Sequence, residues 1–252
     1  MGHEALDVRI GTTPGISRWL KGHPRARITG TFDEPGLRFA QGRWERSVVV
    51  GDAAAVGGLV ELIDNNPLVC ADVVSVPDPA STLALIAFGP LIRTGLLAEP
   101  PVFQTNAPGN AETVEAFLAA FGWPHGVAAS FENLKMGSVW AAQCGAIIDT
   151  PESLDEIDEI FDEAYGRSFY VQNVDDGNWT PDLVRQTPRA VYRIRISPEA
   201  PRSLLTIQVM GDQEGKLGGA QIVHAMNVMA GLEESLGLDA APGQPGPKPD
   251  PT

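Results

Sequence analysis

Strand-like and helix-like segments alternate through the first hundred residues and then give way to a succession of strands. Residues 7–10 and 27–32 read as short strands on either side of a helix-like stretch at 16–22. Residues 47–50 and 72–76 are apolar enough for buried strands, and the Ala- and Gly-rich stretch 52–64 between them reads as a helix. Residues 81–95 form a strongly apolar helix, and 36–46, rich in arginine and aromatics, reads as irregular. Strands linked by crossover helices predict a parallel α/β sheet.

Beyond residue 100, strands are expected at 101–104, 126–132, 139–148, 169–174, 190–197 and 203–210. An acidic helix at 151–165 interrupts them, with Thr150 as its expected cap and Glu152, Asp155 and Glu156 at its positive end. Such a run predicts an α+β unit with a largely antiparallel sheet. The expected division is an α/β unit at 1–108, an α+β unit at 109–238 that includes a returning final helix, and a proline-rich tail at 239–252 expected to be disordered.

A formal charge of −14 disfavours nucleic acid and anionic membranes as partners. No apolar stretch is long enough to span a bilayer. The opening residues, MGHEALDVRIG, carry no basic stretch followed by an apolar core, so a cytoplasmic location is expected. Cys70 and Cys144 lie in apolar runs and are expected to be buried free thiols. No metal-ligand spacing is present.

Residues 212–238, DQEGKLGGAQIVHAMNVMAGLEESLGL, join a charged loop to a Gly-Gly pair and a long apolar-periodic helix reaching Gly237. Gly218, Gly219 and Ala220 let its first turn approach a ligand or another backbone closely. This segment resembles the last helix of the semialdehyde dehydrogenase family. Four further segments resemble that family in the same order: VVSVPDPASTLALIAFGPLIRTGLL from Val73, FQTNAPGN from Phe103, ENLKMGS from Glu132 and WTPDLVRQTPRAVYRIRIS from Trp179. The resemblance implies a truncated Rossmann-like parallel-sheet domain joined to a semialdehyde-dehydrogenase-type dimerisation domain, and hence a homodimer.

The residues that carry the family's chemistry differ. The resemblance sets Ala80 where the family has its catalytic cysteine, and an alanine forms no thioester. Ser81 follows it, as a substrate-side hydroxyl or a helix cap. Gly137-Ser138 occupies the place of a Gly-His pair, and Ser138 is no base near neutral pH. In the dinucleotide-type loop GTTPGIS, residues 11–17, glycine persists only at the first motif position, with Pro14 and Ser17 at the other two. Pro14 has no N–H to offer a phosphate and Ser17 adds bulk, so no cofactor is expected.

The resemblance leaves Gln104, Asn106, Ser81 and Ser138 as expected substrate-binding groups. It leaves His224, Lys216 and Glu132 as candidates for proton transfer, His224 standing where the family usually has glutamine. His125, in a turn, reads as solvated. The expected function is non-redox biosynthetic chemistry on a small molecule, such as isomerisation, cyclisation or elimination, in the former substrate pocket. The alternatives are a non-catalytic dimerising partner or regulator of an active homologue, and an active NADP-dependent semialdehyde dehydrogenase whose site residues align differently.

Overall fold

The computed structural model describes residues 5–153, 155–174 and 176–238. The expected tail at 239–252 lies outside them. The chain opens with β1 (Leu6–Ile10), α1 (Ile16–Lys21) and β2 (Ala26–Thr31), then a hairpin of β3 (Gly36–Gln41) and β4 (Trp44–Val50). A 3-10 turn at Val60–Leu62 and α2 (Asn65–Cys70) lead to β5 (Val73–Val76). These strands make one sheet in the order β2-β1-β3-β4-β5.

This sheet is mixed, which corrects the expected parallel arrangement. β1–β2 and β4–β5 are parallel, whereas β3 runs antiparallel to both β1 and β4. The stretch read as irregular supplies β3 and the turn, with Gly42 at φ 61°. The helix expected at 52–64 does not form. Gly57 and Gly58 have φ of 150° and 133°, outside helical space for any residue, and Gly57 bridges to Ser75.

α3 (Pro79–Thr94) follows with three coincident signals. The Asp78 side chain accepts from the Ser81 amide, Pro79 opens the first turn, and Gly95 closes the helix in the left-handed region. Every residue from Ala80 to Leu91 is buried, as befits a helix apolar on all sides.

The remaining elements are β6 (Val102–Thr105), α4 (Ala111–Ala120), β7 (Ala128–Phe131), β8 (Val139–Asp149), α5 (Asp155–Tyr165), β9 (Val171–Asn173), two 3-10 turns at Asp176–Asn178 and Pro181–Leu183, β10 (Ala190–Ser197), β11 (Arg202–Asp212) and α6 (Gly219–Met229). The second sheet has the order β7-β6-β8-β11-β10-β9, and its β6–β8, β8–β11 and β10–β11 pairings are antiparallel. Ile157, Phe161 and Tyr165 give α5 one apolar stripe, which joins α3 and the inner face of this sheet. Thr150 does not cap α5; its hydroxyl donates to Glu199 O.

α6 returns to the first sheet, where Ile222, Val223, Met226 and Met229 pack with Val8, Leu37, Val48 and Val74. It stops at Met229, short of the expected Gly237, because Gly231 turns left-handed at φ 64°. Of the two thiols, Cys144 is buried and Cys70 is exposed. Among the described residues no helix is long and apolar enough to cross a membrane. This mixed α/β architecture is compatible with a Rossmann-like fold.

Candidate functional site

The ends of β4 and β5 meet α3, α6 and Trp140 of β8 around a cleft of about 250 Å³. Pro14, Pro35, Pro77, Pro79 and Pro108 wall it, and a proline offers no N–H donor. Gln221 supplies its buried polar group. The Gln221 amide nitrogen donates to Pro77 O and Thr82 Oγ1, at 3.1 Å each. Because a carbonyl only accepts, this fixes the amide orientation and leaves Oε1, buried and without a hydrogen-bond partner, as the free atom.

At the head of α3, Ala80 is fully buried. Gly109 closes over it: a side-chain carbon at Gly109 would lie 2.7 Å from Ala80 Cβ. The Ala80 methyl is therefore covered from the cleft side. Ser81 gives both its amide and its hydroxyl to Asp78, at 3.1 and 2.9 Å, as part of the helix cap. Burial raises the Asp78 carboxyl above the ordinary aspartate range against the opposing pull of those two donors.

The Gly218–Gly219 pair meets backbone. The Gly219 amide donates to Pro14 O at 2.9 Å, and a Cβ on Gly219 would lie 2.4 Å from Gly15 C and Ile16 N. The Trp19 indole N–H donates to Glu214 O beside it. The N-terminal end of α1, which a pyrophosphate would need open, is packed against the head of α6.

Gln104 and Glu132 hydrogen-bond each other on the outward face of the second sheet. Asn106 ties that edge together, donating to Leu134 O and accepting from the Ala141 amide, at 2.7 Å each. These three residues line a separate hollow with Gln143, Trp179 and Gln208. Ser138 is held elsewhere, donating to Asp212 Oδ2 at 2.7 Å.

Lys216 and His224 meet below the 3-10 turn. Lys216 Nζ lies 2.6 and 2.7 Å from the two Glu61 oxygens, with the lysine side chain 1 % exposed. His224 packs on the Tyr170 ring at 4.7 Å, with Nε2 3.1 Å from Glu234 Oε2 and Nδ1 3.9 Å from Glu61 Oε1. Burial acts to raise the Glu61 carboxyl, but the Lys216 ammonium and His224 overcome it and hold it below the ordinary glutamate range. The hydrogen bond from His224 likewise lowers Glu234.

The residues expected to share one pocket thus fall in separate places. Lys216 and His224 come together, as do Gln104, Asn106 and Glu132, while Ser81 and Ser138 join neither group. Sequence reasoning missed Glu61, Asp78, Gln221 and Glu234. Asp78 was detectable as the N-cap in D-P-A-S, and Gln221 as the residue one turn before His224. Glu61 lies in the stretch misread as helix, and its partner Lys216 is remote in sequence.

No family model matches the chain. It is similar to the N-acetyl-gamma-glutamyl-phosphate reductase of Psychrobacter cryohalolentis, 34 % identical over 100 residues, which are 39 % of this chain and 25 % of the relative. The N-acetyl-gamma-glutamyl-phosphate reductase of Psychrobacter arcticus is 35 % identical over 86 residues, covering 33 % of this chain and 23 % of the relative. The matches span about a quarter of the length of these curated relatives. They support a semialdehyde-dehydrogenase-like scaffold.

Proposed function

We propose that this semialdehyde-dehydrogenase-like protein has left redox chemistry and performs non-redox work on a small, uncharged, mainly apolar molecule held in the cleft at the head of α3. The observation that carries this reading is the state of that cleft. Its thiol position is an alanine sealed under Gly109, the end of α1 is filled by the Gly219 backbone, and a cavity with one unsatisfied acceptor remains. Apolar cavities take up apolar molecules, and a buried acceptor selects one that brings a donor. Binding in this cleft therefore does not call on His224, Lys216 or Glu132. None of the three lines the cleft, and Lys216 and Glu132 are held by Glu61 and Gln104.

Calorimetric titration tests both halves. NADP is expected to give no binding at millimolar concentration, and micromolar affinity would restore the dehydrogenase reading. Indole is expected to bind about tenfold more tightly than benzofuran, which has oxygen in place of the N–H, with the preference lost in Gln221→Met. Equal affinity in the unaltered protein would remove Gln221 from the site.

A second reading, a dimerising partner without catalysis, is favoured by the outward face of the second sheet. Trp179, Leu183 and Val184 cover one end of it, over Val139, Val191 and Met210, while Val102 and Leu204 stand exposed at the other.

A further inference from the structure

A second cavity, of about 420 Å³, lies between the 3-10 turn at Val60–Leu62 with the start of α2, the turn that leaves α5, His224 of α6 and Glu234 beyond that helix. Glu61, Asp64, Arg167, Phe169, His224 and Glu234 are among its lining residues. It shares no lining residue with the cleft at α3, so its occupant is independent of the small molecule proposed for that cleft.

His224 marks this cavity as more than a surface hollow. Its side chain is 3 % exposed, yet Nδ1 has no hydrogen-bond partner. Buried ring nitrogens are ordinarily satisfied, because a polar atom withdrawn from water without a partner costs about 1–3 kcal/mol. His23, buried against the same helix, provides the comparison. Its Nδ1 accepts from the Arg25 amide at 3.2 Å, and its Nε2 bonds Asn227 Oδ1 at 2.9 Å. His23 is thus satisfied at both nitrogens, whereas His224 is satisfied at Nε2 only, its Nδ1 standing 3.9 Å from Glu61 Oε1.

The lining specifies the chemistry of an occupant. Lys216 neutralises Glu61 from behind, which leaves the Asp64 and Glu234 carboxylates facing the cavity. Arg167 is exposed and forms no ion pair among the described residues. Phe169, 63 % exposed, is the most exposed large apolar side chain described. Two carboxylates, one guanidinium and one bare aromatic face complement a molecule with an ammonium, a carboxylate and an apolar body. We infer that this cavity is a binding site for a small zwitterion of the α-amino-acid type. Its ammonium lies at Glu234 and Asp64 beside His224, its carboxylate at Arg167 and its side chain on Phe169.

L-phenylalanine, phenethylamine and 3-phenylpropionate dissect the site on the intact chain, because each of the last two lacks one charge. Calorimetry is expected to rank L-phenylalanine first. Arg167→Gln should weaken L-phenylalanine about tenfold and leave phenethylamine unchanged. Glu234→Gln should weaken L-phenylalanine and phenethylamine alike. Arg167 is exposed and the Glu234 side chain is 47 % exposed, so the fold is expected to survive, with circular dichroism as the check. In protein labelled with ¹⁵N-histidine, L-phenylalanine should shift the His224 ring signals, assigned through His224→Gln, and leave those of His23 in place. Absence of binding by L-phenylalanine at millimolar concentration overturns the inference. So does binding that ignores both substitutions or leaves the His224 signals unmoved.

Discussion

Glu61 and Lys216 are both withdrawn from water, so their pairing holds two desolvation costs in balance rather than supplying a large surplus. Glu61→Gln leaves the ammonium without its counter-charge, and is expected to cost about 3–5 kcal/mol in urea unfolding. The double replacement Glu61→Leu with Lys216→Met should restore most of that loss, since no charge is then stranded. A single variant as stable as the parent would mean that water reaches the pair. The pH dependence follows from the depressed Glu61 carboxyl. A lowered folded pKa contributes stability in full above the unfolded value of about 4.3, lost as pH falls through the folded value. Acid unfolding of the parent should therefore show a loss below about pH 4.3 that is diminished in Glu61→Gln. Little of this was legible in advance. Lys216 was conspicuous at the head of a glycine pair, but a buried ion pair across the fold has no local periodicity, and the segment carrying Glu61 imitates a helix in composition while its glycines forbid one.

At the scale of elements, α3 was readable almost to its ends from its apolar run and terminal glycine, although the cap is Asp78 and not the expected Ser81. What completes it was not. Pro90 lies inside the helix and cannot donate to Ile86 O, so a buried carbonyl would lack its usual partner. The Tyr165 hydroxyl, arriving from α5, lies 3.1 Å from Ile86 O and 3.3 Å from Leu85 O. Burial, with Glu61 nearby, pushes that phenol well above its ordinary range, so it stays a donor. Tyr165→Phe should cost about 1–3 kcal/mol, the desolvation penalty of an unmet buried carbonyl. Pro90→Ala supplies the missing N–H, so the cost of Tyr165→Phe should shrink in that background. Additive costs in the double-mutant cycle would show that the hydroxyl acts only through Leu85. The β3–β4 hairpin was missed for a related reason. Its charged residues read as a polar interruption, whereas Glu45 accepts from Arg9 of β1 and Arg46 reaches the Val69 and Met229 carbonyls, leaving Leu37, Phe39 and Val48 to the core.

For the whole molecule, the second sheet was legible strand by strand, but the use of its faces was not. The run VWAAQCGAII looks apolar throughout and suggests a buried interface. In β8 the strand period divides it: Ala142, Cys144, Ala146 and Ile148 enter the core, and Ala141, Gln143, Gly145 and Ile147 face outward. Gln143 is the register partner of Gln104 on one side and Gln208 on the other, so polar side chains form a row across the sheet. Trp179 and Leu183 cover the Ala141 end of the face, whereas Gly145 keeps the rest low, with Val102 and Leu204 exposed beside it. A low centre allows a second sheet to approach to about 10 Å. A two-fold dimer built there would use the same patch twice. Gly145 offers the sharpest test, because a side-chain carbon at this position meets only Val102 Cβ, at 3.8 Å, and the single chain tolerates it. Light scattering of the parent is expected to give a dimer. Gly145→Arg should give a folded monomer with an unchanged circular dichroism spectrum, since two arginines would oppose each other across the axis. A monomeric parent, or a Gly145→Arg variant that still dimerises, would remove this face from the assembly and with it the support for the partner reading.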